Sequence, residues 1–106
     1  MNKQEYLFAC LSEEAGEIVQ SVGKIHRFGL QDSNPDKATA ANDILLGHEI
    51  NDMLAIVEML AEECHIAIPG VYDRKHIEAK KAKVRKYYPY SIKRGALTAP
   101  WLEEKV

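Results

Sequence analysis

The sequence predicts an all-α protein made of three main helices and a short one. Apolar residues recur with a helical period in two long segments, and no segment alternates as a strand would. Proline and glycine interrupt the pattern at the expected ends of helices. The chain has 106 residues with 46% hydrophobic and 28% charged residues, which is ordinary for one globular domain. We expect that domain to cover residues 1–90, followed by a tail over residues 91–106.

The first helix has clear signals at both ends. Asn2 followed by Glu5 predicts a capping box, and the amphipathic pattern continues to about Phe28 and stops at Gly29. Residues 29–34 are typical of a loop. Asn34 and Pro35 form an N-cap and first-turn pair, which predicts the start of the short helix.

The second long helix is predicted from Asn42 to Ile66, ahead of a Pro-Gly pair at 69–70. A third helix, rich in basic residues, is predicted to begin between residues 71 and 73 and to break at Pro89. Residues 90–106 show no period, so we expect them to lie on the surface or on a partner subunit. Three helices make a thin bundle, and its size suggests that a C2 dimer doubles it into a larger helical core.

Charge is distributed unevenly along the chain although the net charge is only −2. Twelve of the 16 acidic residues precede residue 64, whereas nine of the 14 basic residues lie in 74–94. The first part can therefore attract a metal ion and the second an anion, or the basic residues form a solvated helix face. The sequence shows no membrane-spanning run and no signal-peptide pattern, and Cys10 and Cys64 lack metal or redox spacing. A cytoplasmic location with reduced thiols is expected.

Two acidic pairs, Glu14-x-x-Glu17 and Glu49-x-x-Asp52, lie within apolar helical stripes. Residues three apart are neighbours on one helix face, so each pair presents two carboxylates together. Apolar residues within about 80° of the first acid of each pair form the stripes. They are Leu7, Leu11, Ile18, Val22 and Ile25 in the first helix and Leu45, Leu46, Met53, Ile56, Val57 and Leu60 in the second. If the stripes pack together, four carboxylates meet in a helical core without a lysine or arginine beside them.

A divalent cation is the simplest compensation for such a cluster. Mg²⁺ and Mn²⁺ prefer carboxylate oxygens and keep water ligands that a substrate can displace. The alternative, a solvated acidic face, fits a single pair better than two pairs of equal offset. A zinc peptidase is disfavoured because His48-Glu49-Ile50-Asn51-Asp52 ends in Asp where H-E-x-x-H has His. Di-iron bundles need E-x-x-H on two helices, which neither pair provides.

Basic residues near these stripes are candidates for binding phosphate. Lys24 lies two turns beyond Glu17 on the same side of the first helix, and Arg27 follows with a less favourable direction. In the third helix Lys80, Lys83 and Tyr87 share one face. Lysine stems that cover apolar core would give the same pattern.

Taken in order, these motifs resemble the MazG-like all-α nucleoside triphosphate pyrophosphohydrolases. The shared features are E-E-x-x-E (Glu13, Glu14, Glu17) and E-x-x-D (Glu49, Asp52) on successive helices. Several further segments resemble the short phage-type branch of this family. They are Lys24-Ile25-His26-Arg27-Phe28-Gly29-Leu30, Asp32, Asn34-Pro35, Asp52-Met53-Leu54-Ala55 and Lys83-Val84-Arg85-Lys86-Tyr87. The 31 residues between Glu17 and Glu49 exceed the usual spacing, which implies a longer loop.

The resemblance implies hydrolysis of nucleoside triphosphates to monophosphate and pyrophosphate, with water attacking the α-phosphorus. It implies Mg²⁺, or Mn²⁺, bound by Glu14, Glu17, Glu49 and Asp52, with Glu13 or the least committed of these four carboxylates accepting the proton of the water. Lys24, Lys80 and Lys83 would bind the β- and γ-phosphates. Relatives of this group form dimers or tetramers. The alternatives are the same scaffold acting on phosphoribosyl-ATP or a deoxyuridine nucleotide, and a non-catalytic helical interaction module.

Overall fold

The computed structural model describes residues 1–36 and 40–98 and confirms the all-α class. It contains α1 (Lys3–Phe28), α2 (Asn42–Cys64), α3 (Arg74–Lys86) and α4 (Tyr88–Lys93). No strand occurs among the described residues. The chain divides into two compact units, a first unit over Met1–Ile68 and a second unit over Pro69–Val106.

Helix α1 begins and ends where its sequence predicts. The Asn2 side chain accepts a hydrogen bond from the Glu5 N–H at 2.8 Å, and the Glu5 carboxylate accepts one from the Asn2 N–H at 3.4 Å. This confirms the capping box, which satisfies two amides that lack helical partners. Gly29 closes the other end with φ of 94°, a conformation that strains residues with a Cβ. Its N–H donates to the Ile25 carbonyl at 2.8 Å.

Helices α1 and α2 form an antiparallel hairpin within the first unit. At one end Lys3 Nζ lies 3.4 Å from Glu63 Oε1, which joins the start of α1 to the end of α2. At the loop end the Asp43 N–H donates to the Leu30 carbonyl at 3.0 Å. The middles of the two helices, which carry the acidic pairs, therefore lie side by side.

At the loop end of this hairpin, Asn42 links the start of α2 to the end of α1 and to the loop by hydrogen bonds. Its side chain is 7% exposed, and Nδ2 donates to the Gly29 carbonyl at 2.9 Å. Its backbone N–H donates to the Asp32 carbonyl at 2.9 Å. The side chain of Asn42 thus gives the carbonyl that follows α1 a hydrogen-bond partner.

We expect Asn42→Ala to destabilise the protein by about 1 kcal/mol, because it removes the part-buried hydrogen bond to the Gly29 carbonyl. Urea denaturation followed by circular dichroism measures this change. Asn51→Ala, an exposed position of the same helix, is the control and should change stability by less than about 0.5 kcal/mol. Equal stability of the two variants would contradict the linking role of Asn42.

The hairpin buries few of its apolar residues completely. Among the described residues the buried hydrophobic ones are Leu7 and Leu60, both near the Lys3–Glu63 end. On each helix, the residues rotated by about 80–140° about the helix axis from the cluster acid (Glu14 on α1, Glu49 on α2) are largely apolar. The angle is counted in the same direction on both helices. Because the helices are antiparallel, these two stripes lie on the same side of the hairpin. We call this side the apolar face; it comprises Phe8, Val19, Val22, Ile50, Leu54 and Val57.

The second unit is strongly basic. Asp73 caps α3 by accepting from the Lys75 N–H at 2.9 Å and the His76 N–H at 3.4 Å. Within α3, hydrogen bonds from Lys81 and then from Arg74 lower the pKa of Glu78, the one acidic residue of that helix. These contacts are exposed ion pairs, and such pairs contribute little to stability.

Several predicted boundaries differ from the observed ones. Helix α2 ends at Cys64 rather than Ile66, and α3 ends at Lys86, before Tyr87. Pro89 does not break a helix; it lies in the first turn of α4, where its missing N–H costs nothing. The short helix is α4, whereas Pro35 and Asp36 form a turn, followed by residues 37–39 outside the described part.

The predicted domain limit at residue 90 falls inside α4, which runs from Tyr88 to Lys93. The contacts instead divide the chain before Pro69. Of the predicted tail, residues 99–106 lie outside the described residues. None of the described helices is both long and apolar enough to cross a membrane.

Candidate metal centre and adjoining cavity

Helices α1 and α2 bring three of the predicted carboxylates together at mid-hairpin. One carboxylate oxygen from each of Glu14, Glu49 and Asp52 lies within 4.8 Å of the other two. We call these residues the carboxylate cluster. Glu14 and Glu49 are half-buried and Asp52 is exposed. The cluster therefore lies at the edge of the helix interface rather than inside a core, since two helices leave one side open.

The two other predicted acidic residues lie outside this set. Glu17 is half-buried one turn further along α1, and Glu13 is exposed. Both are near enough to act electrostatically on Glu14, but more weakly than the cluster members. The structure thus places Glu17 one turn from Glu14 on α1 and outside the carboxylate cluster.

Burial and negative neighbours raise the pKa of Glu14. Desolvation is the largest cause, followed by the charges of Asp52 and Glu49 and then by those of Glu13 and Glu17. Among the described residues no salt bridge involves the carboxylate cluster. The charged cluster therefore carries an electrostatic cost that the described protein groups leave uncompensated.

The cluster fits a hard divalent cation by its donor set. Mg²⁺ binds oxygen at about 2.0–2.1 Å, so two of its ligands lie at most about 4.2 Å apart. Three oxygens within 4.8 Å of one another need only small movements to reach that geometry. Three carboxylates with an exposed side also leave positions for water or a phosphate oxygen.

The raised pKa of Glu14 predicts an unusual pH dependence of stability. When the pKa of a carboxyl is higher in the folded than in the unfolded protein, the folded state loses stability as the pH rises. The loss begins near the unfolded-state pKa, about 4.5, and is complete above the folded-state pKa. We therefore expect Glu14→Gln to raise the unfolding temperature of the chelator-treated protein at pH 7. The difference from the unmutated protein should shrink at pH 4, where Glu14 is largely protonated in both states. Differential scanning calorimetry at both pH values measures it, and a lower unfolding temperature for Glu14→Gln at pH 7 would contradict the repulsion.

A cavity of about 310 Å³ lies at the loop end of the same hairpin. We call it the end cavity; it is lined by Lys24, Arg27, Phe28, Asp32, Asn34, Pro35, Asn42 and Leu45. Two predicted substrate-binding residues, Lys24 and Arg27, line it. The Arg27 guanidinium carbon lies 5.0 Å from the centroid of the Phe28 ring, within the range of a cation–π contact.

The end cavity adjoins the carboxylate cluster along the hairpin. Leu45 precedes Glu49 by one helical turn, about 6 Å along the axis of α2. Lys24, which lines the cavity, follows Glu17 by seven residues, or two turns of α1. A ligand at the cluster could therefore continue into the cavity.

The other predicted substrate-binding residues meet in the second unit. Lys80, Lys83 and Tyr87 line one groove of about 450 Å³, together with Val84, Tyr88, Ser91, Ala96 and Leu97. Lys86 Nζ lies 5.9 Å from the Tyr87 ring centroid. Two ammonium groups beside tyrosines suit an anion such as a phosphate group. The three residues that were predicted to share a face therefore line the same groove, with Tyr87 at the cap that follows α3.

Sequence reasoning assigned no role to Asp32 or Asn42, which line the end cavity. The two residues contact each other where the loop segment 29–34 meets the start of α2, since the Asn42 N–H donates to the Asp32 carbonyl. A polar residue at a predicted helix start was a signal for Asn42, whereas nothing in the spacing indicated that Asp32 and Phe28 line one cavity.

Comparisons of the chain with protein-family models, with curated proteins and with solved structures found no match.

Proposed function

We propose that the protein is a Mg²⁺-dependent nucleotide pyrophosphohydrolase that cleaves nucleoside triphosphates, ribo- or deoxyribo-, to monophosphate and pyrophosphate. The observation that carries this proposal is the convergence of Glu14, Glu49 and Asp52. These residues come from the two motifs that resemble the MazG-like family. A half-buried carboxylate cluster beside a basic, partly aromatic cavity suits a metal-bound polyphosphate ester.

In this proposal Glu14, Glu49 and Asp52 hold Mg²⁺, which Mn²⁺ can replace, and Glu17 completes the ligand set. The bound ion would neutralise the triphosphate and make a water molecule more acidic. Glu13, exposed beside the cluster, or the carboxylate least committed to the ion accepts the proton of the attacking water. Lys24, at the cluster side of the end cavity, binds a phosphate oxygen.

The second unit has a groove of its own, lined by Lys80, Lys83 and Tyr87, which we propose binds an anion. Lysine suits a phosphate group because its ammonium group is a compact charge with three donors.

The apolar face supports the further proposal that the active protein is a homo-oligomer. Phe8, Val22 and Ile50 remain 39–41% exposed, and Val19 is 71% exposed. A second hairpin packed on this face would bury both stripes and form a four-helix core. The carboxylate cluster lies away from this face and stays accessible to substrate.

A substrate panel tests the proposed chemistry. Purified protein is incubated with each ribo- and deoxynucleoside triphosphate, with Mg²⁺ or with chelator, and the products are separated by ion-exchange chromatography. We expect monophosphate and pyrophosphate in equal amounts, and only with the metal. Diphosphate and orthophosphate would contradict attack at the α-phosphorus. No turnover of any nucleotide, phosphoribosyl-ATP and deoxyuridine nucleotides included, would favour a non-catalytic interaction module.

A further inference from the structure

We infer that the end cavity is a base-recognition site that prefers guanine nucleotides. This inference rests on the proposed function, because it takes the carboxylate cluster as the place where the phosphates bind. The cavity volume of about 310 Å³ lies at the lower end of the range for small-molecule sites, about 300–1,000 Å³.

The cavity combines a flat surface with apolar walls. The Phe28 ring offers a flat face on which a nucleobase can stack, and the Arg27 guanidinium carbon lies 5.0 Å from the centroid of that ring. Leu45 supplies an apolar wall. A base therefore finds the contacts here that its two faces need.

The cavity offers hydrogen-bond acceptors from Asp32 and Asn42 and donors from Arg27 on α1. No hydrogen bond or ion pair among the described residues involves the Asp32 carboxylate or the side-chain oxygen of Asn42. Asn42 is only 7% exposed. Its side-chain oxygen is therefore shielded from water and needs a hydrogen-bond donor. The guanidinium of Arg27 supplies donors that face the same cavity.

Guanine matches this arrangement better than the other bases. Its N1–H and N2–H₂ groups are adjacent donors, which a carboxylate accepts through both oxygens, and its O6 and N7 accept from an arginine. Cytosine and adenine each offer one amino group beside a ring acceptor, and thymine offers one N–H between two carbonyls. A carboxylate at Asp32 would repel those neighbouring acceptors.

The position of the cavity agrees with a nucleotide bound along the hairpin. The cavity lining runs from Leu45, one helical turn or about 6 Å along α2 from Glu49, to Phe28, 14 residues or about 21 Å along α1 from Glu14. The sugar and phosphates of a base held there would extend along the hairpin toward the cluster, past Lys24.

Isothermal titration calorimetry of the full-length protein with the four deoxynucleoside monophosphates and Mg²⁺ tests this inference without turnover. We expect dGMP to bind about tenfold or more tightly than dCMP, dAMP or dTMP, since each good bidentate base contact discriminates by about that factor. Asp32→Asn should remove this preference. The control Asp36→Asn makes the same charge change in the same loop but outside the cavity lining, and it should retain the preference.

Equal affinity for the four monophosphates, absence of binding, or a preference that Asp32→Asn leaves unchanged would overturn the guanine site. The panel of triphosphates decides the proposed function separately. Cleavage without guanine preference refutes the site alone, and dGMP preference without cleavage refutes the hydrolase alone.

Discussion

Replacing Glu49 by glutamine is expected to reduce Mg²⁺-dependent triphosphate cleavage by more than about 100-fold while the helices stay folded. Glu49 lies with Glu14 and Asp52 in the carboxylate cluster and is half-buried between α1 and α2. Glutamine keeps the shape and removes the charge that would bind a cation. Loss of a residue that only supports a metal ligand costs about 10–100-fold, so loss of a ligand should cost more.

The measurement is the initial rate of pyrophosphate release over a range of Mg²⁺ concentrations, with circular dichroism as a check of folding. Glu58→Gln is the matched control. It makes the same substitution on α2 at an exposed position about 180° round from Glu49, and it should leave the rate unchanged. Normal cleavage by Glu49→Gln with unchanged metal dependence would remove Glu49 from the ligand set.

Much of the first unit followed from local sequence. The capping box at Asn2 and Glu5 and the glycine stop at Gly29 fix α1 to within one residue. These signals are reliable because each satisfies backbone groups that a helix terminus leaves without partners. The shared offset of the two acidic pairs predicted that four carboxylates meet, and the structure brings three of them, Glu14, Glu49 and Asp52, together.

Other features depended on contacts that one sequence does not specify. Pro89 was predicted to end the third helix, but that helix ends before Tyr87. Proline is equally compatible with the first turn of a helix, and Pro89 lies in the first turn of α4. The end cavity needed the return of the long loop, which brings Asp32 and Asn42 beside Arg27 and Phe28. The separation of Glu17 from the cluster depends on how far α1 is rotated against α2, which helical periodicity fixes only approximately.

The apolar face gives the second large expected effect. Val19 is 71% exposed in the hairpin, and the stripe around it continues across α2 through Ile50 and Leu54. In the proposed homo-oligomer a second copy would cover this surface, and burial of apolar area is the main favourable term in association. Val19→Glu is therefore expected to convert an oligomer into a monomer.

The reason for this large effect is that glutamate at position 19 is harmless on a solvated helix but costly at a dry interface. Placing an unpaired charge there should weaken association by about 3 kcal/mol or more, a factor above 100 in the dissociation constant. Sedimentation velocity at micromolar concentration measures it. Gln20→Glu introduces the same residue one position along, about 120° from Glu14 in the opposite sense and exposed, so it should leave the oligomer intact. A monomeric unmutated protein, or Val19→Glu that associates as the unmutated protein does, would show that the apolar face does not join two copies.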